Sequence, residues 1–192
     1  MGKAFIGVFG AIIGVILLGA LLFIPKYNGL VSGEEAIDSK WAQVENQLQR
    51  RFDLIPNLVE TVKGFAAQER EIIAEVTQAR TKYGAASNIE ETAEADSELT
   101  NALGRLLVVV ENYPELKSDA NFRQLMDELS GTENRLAFAR EDYNNEVQVF
   151  NSNVRKFPGN IIAGMFGFER KDYYEIEADA NSKPIIDFGG DE

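Results

Sequence analysis

The chain has 192 residues, of which 31 are acidic and 19 basic, a formal charge of −12, and it contains neither histidine nor cysteine. So acidic a chain lacks the basic stripe that neutralises phosphates, which excludes a nucleic-acid partner. Without histidine or cysteine there are no disulfides, thiolate nucleophiles, Ser-His-Asp triads, thiolate zinc sites or Glu-x-x-His di-metal bundles. No catalytic residue, cofactor or metal is therefore expected, and the acids read as solvated helix faces.

The first element is the run at residues 4–24, AFIGVFGAIIGVILLGALLFI, 21 residues without a charge, bounded by Lys3 and by Pro25-Lys26. At 1.5 Å per residue it makes roughly 30 Å of helix, the thickness of the hydrocarbon layer of a bilayer. A secretory signal would be shorter and would end in a small-x-small cleavage site; LLFIPKYNG offers none. The expectation is a single-pass anchor, residues 1–25, in the bacterial cytoplasmic membrane, with membrane lipid as its partner. Lys3 and the free amine on one side nearly balance Lys26 and Lys40 on the other. The short basic start favours export of the bulk domain. Within the run, Gly10 and Gly14 form a GxxxG, and Gly7 with Ala11 adds a second small pair. Such spacing lets membrane helices approach closely, so a homo-oligomer is expected.

Residues 26–33, KYNGLVSG, read as a joint, and Ser32-Gly33-Glu34-Glu35 as the capping box that opens a helix. From there Ile37, Trp41, Val44, Leu48, Phe52, Ile55, Val59, Val62, Ala66, Ile73, Val76 and Arg80 step by helical intervals, and Arg80's stem can cover apolar surface. Pro56 interrupts the hydrogen bonding, at a cost of about 3 kcal/mol, and leaves the Phe52 carbonyl unpaired. The stripe passes through it without a stutter. The reading is a kink at Pro56 inside one continuous helix of about 50 residues ending near Tyr83-Gly84.

The acidic stretch at 84–98 holds a loop and the first turns of a second helix, striped at Leu99, Leu103, Leu106 and Val110 and ended by Asn112-Tyr113-Pro114. Ser118 or Asp119 caps a third helix, which is striped from Phe122 to Val154 and stops at Phe157-Pro158-Gly159. A short fourth element follows at about 160–168, then a tail at 169–192 of uncertain order. The fold class is all-α: an N-terminal transmembrane helix, then an elongated antiparallel bundle over residues 34–168 of three long helices and a short fourth. With three alternating helices, the third ends far from the anchor. FPGNIIAGMFGF then reads as a subunit contact or core plug and not as a membrane contact.

Polar residues inside the apolar stripes mark the candidate site. Glu133 and Arg140 occupy positions where the third helix wants apolar residues, and Asn144 and Asn151 lie nearby. The reading is a buried polar network completed by Arg50, Arg51 or Asp53 of the first helix, of the kind that fixes register. The alternative is a ligand or peptide site between the helices.

YNGLV after the run, RRFDLIPNLVETVKG at 50–64, YPELKSDANFRQLMDELSGTENRLAFAREDYN at 113–144 and FPGNIIAGMFGF at 157–168 occur in an order that resembles the LemA family of bacterial membrane proteins. The likeness extends from the anchor to about Tyr174. It implies a single membrane helix followed by an antiparallel helical bundle. The family's association with membrane proteases and other envelope proteins implies an adaptor or scaffold, and it supplies no active site to carry over.

Overall fold

The computed structural model describes residues 2–175, except the side chains at 2–8, 11, 12, 15, 16, 18 and 22. Among the described residues every regular element is helical: α1 (Gly2–Phe65), α2 (Arg70–Ala85), α3 (Ile89–Val110), α4 (Pro114–Ser118), α5 (Ala120–Arg155) and α6 (Gly159–Phe166). They divide into two compact units. The first takes residues up to 45 and 138–173, the second 46–137 with Tyr174.

In the first unit α1 and α5 run antiparallel. Gly33 faces the Phe150 ring, where a Cβ would stand 3.1 Å from it. Further along α1, Lys40 pairs with Asp142 at 2.7 Å, and Trp41 lies 5.4 Å from the Tyr143 ring. The expected joint at 26–33 is helix, and α1 passes through the Ser32 capping box without starting there. The physical reason is packing. Leu30, Ile37 and Val44 recur at heptad spacing and are all buried, so the apolar stripe begins two residues before the box and overrides the turn propensity of Asn28, Gly29 and Gly33. α6 closes this unit with Ile162 and Ala163 in the core, as a plug should.

In the second unit the one long helix ending near Tyr83-Gly84 is corrected: α1 stops at Phe65 and α2 begins at Arg70. A stripe continuing beyond Ala66 needs an apolar residue at 69 or 70, and Glu69 and Arg70 stand there. Gly64 weakens the last turn besides. The chain turns back, and Glu69 accepts a hydrogen bond from the Tyr113 hydroxyl at 2.6 Å. That bond and partial burial raise the Tyr113 pKa. α2 and α3 are antiparallel, with Lys82 on Glu98 at 2.7 Å near one end and Arg105 on Glu75 nearer the other. Asn88 caps α3 by accepting from the Glu91 amide at 2.8 Å. The Glu91 carboxylate accepts from the Ser87 amide and hydroxyl, and these bonds hold its carboxyl below the ordinary range. α5 is capped by Asp119, which accepts from the Phe122 amide at 2.9 Å. The core is made by Ile55, Val62, Val76, Leu99, Leu106 and Leu116 with their neighbours.

α1 continues through Pro56 unbroken, so no hairpin forms there. The Phe52 carbonyl that Pro56 cannot pair accepts from Arg80 Nε of α2 at 3.2 Å, while the Arg80 guanidinium lies 3.7 Å from the centroid of the Phe52 ring. One arginine satisfies the carbonyl and covers the ring. Arg80→Met is therefore expected to cost about 2 kcal/mol. The cost falls by about 1 kcal/mol in a Pro56→Ala background, where the restored amide can pair with the Phe52 carbonyl. A double-mutant cycle in urea checks this; additive losses contradict it.

The extra turn at 66–69 changes the count of reversals. α1 and α5 are antiparallel, so α5 returns toward the beginning of α1. α6 accordingly lies against the foot of α1: Phe166 and Phe168 pack on Tyr27 with ring centroids 4.7 and 5.8 Å apart. The expectation that the third long helix ends far from the anchor is overturned by this placement.

Candidate functional site

The buried polar network lies in the second unit and centres on Arg51. Nη1 donates to Asp96 Oδ1 at 2.7 Å and lies 3.0 Å from Glu133 Oε2. Nη2 donates to Thr100 Oγ1 at 2.9 Å, whose hydroxyl donates in turn to the Asp96 carbonyl at 2.8 Å. Tyr174, buried just before the end of the described chain, donates its hydroxyl to Asp96 Oδ2 at 3.2 Å. Arg51 and Asp96 are 4 % and 2 % exposed, whereas the Glu133 side chain is 41 % exposed. Arg51 and Asp96 are thus a desolvated pair, and Glu133 adds charge from the solvent side. One guanidinium ties together α1, α3 and α5 and reaches the tail through Asp96. An arrangement of this kind fixes register, and within it Arg51 Nε is buried without a hydrogen-bond partner.

Of the residues singled out from sequence, Arg51 and Glu133 meet here. Asp53 does not: it is exposed on α1 and accepts from Gln49 at 2.9 Å. Arg140 is buried and Asn144 half-buried, both in the first unit. Asn151 has a definite task there. Its side-chain amide donates to the Lys171 carbonyl at 2.8 Å and accepts from the Lys171 amide at 2.9 Å, which pins the start of the tail. Lys171 also pairs with Glu34 at 2.5 Å. Asp96 and Tyr174 were missed. Asp96 stands three residues before Leu99 on the stripe of α3, the same signal that marked Glu133. Tyr174 carries no periodic signal, because the segment from Gly167 to Glu175 is not helical.

Tyr143 of α5 is also buried. Its hydroxyl donates to the Asp172 carbonyl at 2.8 Å. Burial, with the negative charges of Asp172 and Asp38, pushes its pKa up from 10.0 to about 12. The unfolded chain loses this proton near 10 and the folded chain only near 12, so Tyr143 contributes stability that is whole below pH 10 and disappears as pH rises through 12. Alkaline unfolding followed by circular dichroism is expected to show extra loss across that window, and Tyr143→Phe to remove that part of the pH dependence.

Among the described residues no group of three or more carboxylates is placed to hold a metal. A surface cleft of about 290 Å³ between α2 and α3 is bordered by the two ion pairs named above, Glu75–Arg105 and Lys82–Glu98. In the apolar run, a Cβ at Gly10 or Gly14 would meet nothing within 4 Å; the surroundings of Gly7 lie outside the described residues, as do residues 176–192 of the tail. Among the described residues no helix is long and apolar enough to cross a membrane, and the side chains at 4–8, 11, 12, 15, 16, 18 and 22 of the run are not among them.

The LemA family model matches residues 40–188. The chain is 31 % identical to magnetosome protein MamQ 2 of Paramagnetospirillum magneticum, over 92 % of this chain and 75 % of that protein. It is 30 % identical to magnetosome protein MamQ of Magnetospirillum gryphiswaldense, over 84 % and 68 % of the two chains, and 24 % identical to protein LemA of Metamycoplasma hominis, over 81 % and 69 %. The match takes in the Arg51 network, the Pro56–Arg80 contact and α6, and with it the chain belongs to the LemA family.

Proposed function

We propose that this protein is a membrane-anchored, homo-oligomeric helical scaffold or adaptor of the bacterial envelope, without catalytic activity. The observation that carries the reading is the bare apolar flank of α1. Phe9, Ile13, Leu17, Leu21 and Ile24 are between 42 % and 73 % exposed, on a helix without a charge from residue 4 to 24. Burying each such side chain is worth about 1.5–3 kcal/mol, and a bilayer is the environment that buries them all at once. Because α1 continues from this run into the first unit without a break, the anchor and the unit share one rigid helix. Gly10 and Gly14, open on the surface of that helix, suit close approach of a second copy.

The polar interior supports a structural part over a ligand site, since Arg51 and Asp96 are spent on each other and on Thr100, Glu133 and Tyr174. Relatives named for a body, the magnetosome, and not for a reaction fit the same reading. Other envelope proteins, such as a membrane protease, are proposed partners, with the bulk of the chain on the exported side. Extraction in mild detergent followed by mass measurement tests the scaffold. A single species at a multiple of the protomer mass is expected; a monomer would remove the homo-oligomer and leave an adaptor.

A further inference from the structure

We infer that α6 is a second membrane contact, its bare face lying in the headgroup layer of the leaflet from which α1 emerges, with Lys26 and Lys156 facing the lipid phosphates. This rests on the anchored reading of residues 4–24. α6, GNIIAGMF, carries no charge. One side of it is committed to the first unit, where Gly159, Ile162 and Ala163 are buried. The other side is not. Phe157, Ile161 and Met165, spaced by four, are 80 %, 45 % and 66 % exposed, and Phe166 is 56 % exposed. A short helix that is apolar on both sides, with one side bare, marks a contact surface.

Its place decides what covers it. Phe166 and Phe168 pack on Tyr27, and Tyr27 stands three residues beyond Ile24 on the same unbroken helix. At 1.5 Å per residue this is about 5 Å past the end of the apolar run along the axis, within the headgroup layer, where tyrosine is enriched at membrane surfaces. α6 therefore meets α1 at the depth where a short apolar helix lies flat in the interface. The charge agrees. A cleft of about 210 Å³ is lined by Lys26 on the α1 side and by Lys156 and Phe157 at the α5–α6 corner, in a chain whose formal charge is −12. A local basic rim beside an apolar face suits anionic phospholipid. Glu169 and Arg170, the next charges in the chain, offset each other.

The chain has no cysteine, so single substitutions can carry an environment-sensitive fluorophore in the full-length protein. Leu17→Cys, Met165→Cys and, as a control on α5 of the same unit, Phe138→Cys (70 % exposed) are labelled in turn and reconstituted into vesicles of phosphatidylcholine and phosphatidylglycerol that contain nitroxide lipids, at the headgroup and along the acyl chain. The labels at 17 and 165 are expected to lose about half of their emission to the lipid quenchers and the label at 138 to keep its own. Lys26→Gln with Lys156→Gln is expected to reduce quenching at 165 about two-fold without changing it at 17; full quenching in that variant overturns the part given to the lysines. Quenching at 17 but not at 165 overturns the inference and leaves the anchor standing, and a blue-shifted, unquenched label at 165 would assign the face to a second copy instead. An unquenched label at 17 removes the anchor itself.

Discussion

Arg51→Met is expected to destabilise the second unit by about 3–5 kcal/mol, measured by urea unfolding of the helical circular dichroism signal. The methionine fills most of the arginine's volume, so little of the loss comes from packing. It comes from Asp96, which is 2 % exposed and loses the guanidinium that balances its charge. Asp96→Leu fails for the mirror reason, because it strands a buried guanidinium whose other charged partner, Glu133, is part-solvated. The two changes together are expected to recover much of the loss, since an apolar pair leaves no charge to desolvate. Glu133→Gln should cost about 1 kcal/mol or less, as for an exposed ion pair. If Arg51→Met unfolds at the parent's urea midpoint, the network does not hold the unit together.

Gly159→Ala is expected to cost about 3 kcal/mol in the first unit and to release α6. A Cβ at that position would stand 2.2 Å from the Asn153 carbonyl oxygen, and the atom in the way is backbone at the end of α5, which cannot swing aside. The helix has its own control. At Gly164 a Cβ would meet nothing within 4 Å, so Gly164→Ala should leave α6 in place and gain up to about 1 kcal/mol of helix propensity. Hydrogen exchange of the α6 amides separates the two: fast exchange for the first variant, parent-like or slower for the second. Equal protection in both would show that the close approach at Gly159 is relaxed in solution.

Much of this architecture was legible in sequence, because its signals are periodic. The stripes of α3 and α5, the Asp119 cap and the short closing helix come directly from apolar spacing and capping chemistry. Two misreadings concern where the stripe begins and where it breaks. KYNGLVSG looks like a joint until Leu30 is counted with Ile37 and Val44. The turn at 66–69 looks like helix because Ile73 follows Ala66 at heptad spacing, yet the stripe lacks its residue at 69 or 70. That single missed turn also reversed the sense of the later helices and put α6 at the wrong end. Of the polar site, Arg51 and Glu133 were visible as charges on or beside apolar stripes, and Asp96 stood equally in view. Asp53 was misplaced because, two residues from Arg51, it sits far around the helix. Tyr174 had no sequence signal, since its partner is remote and its segment has no period.

Membranes from cells making the full chain, washed with alkaline carbonate, test the anchor most directly. A protein whose residues 4–24 span the bilayer stays wholly in the sedimented membranes. Its appearance in the supernatant as a dissolved chain would contradict the anchor, and with it the envelope scaffold built on α1.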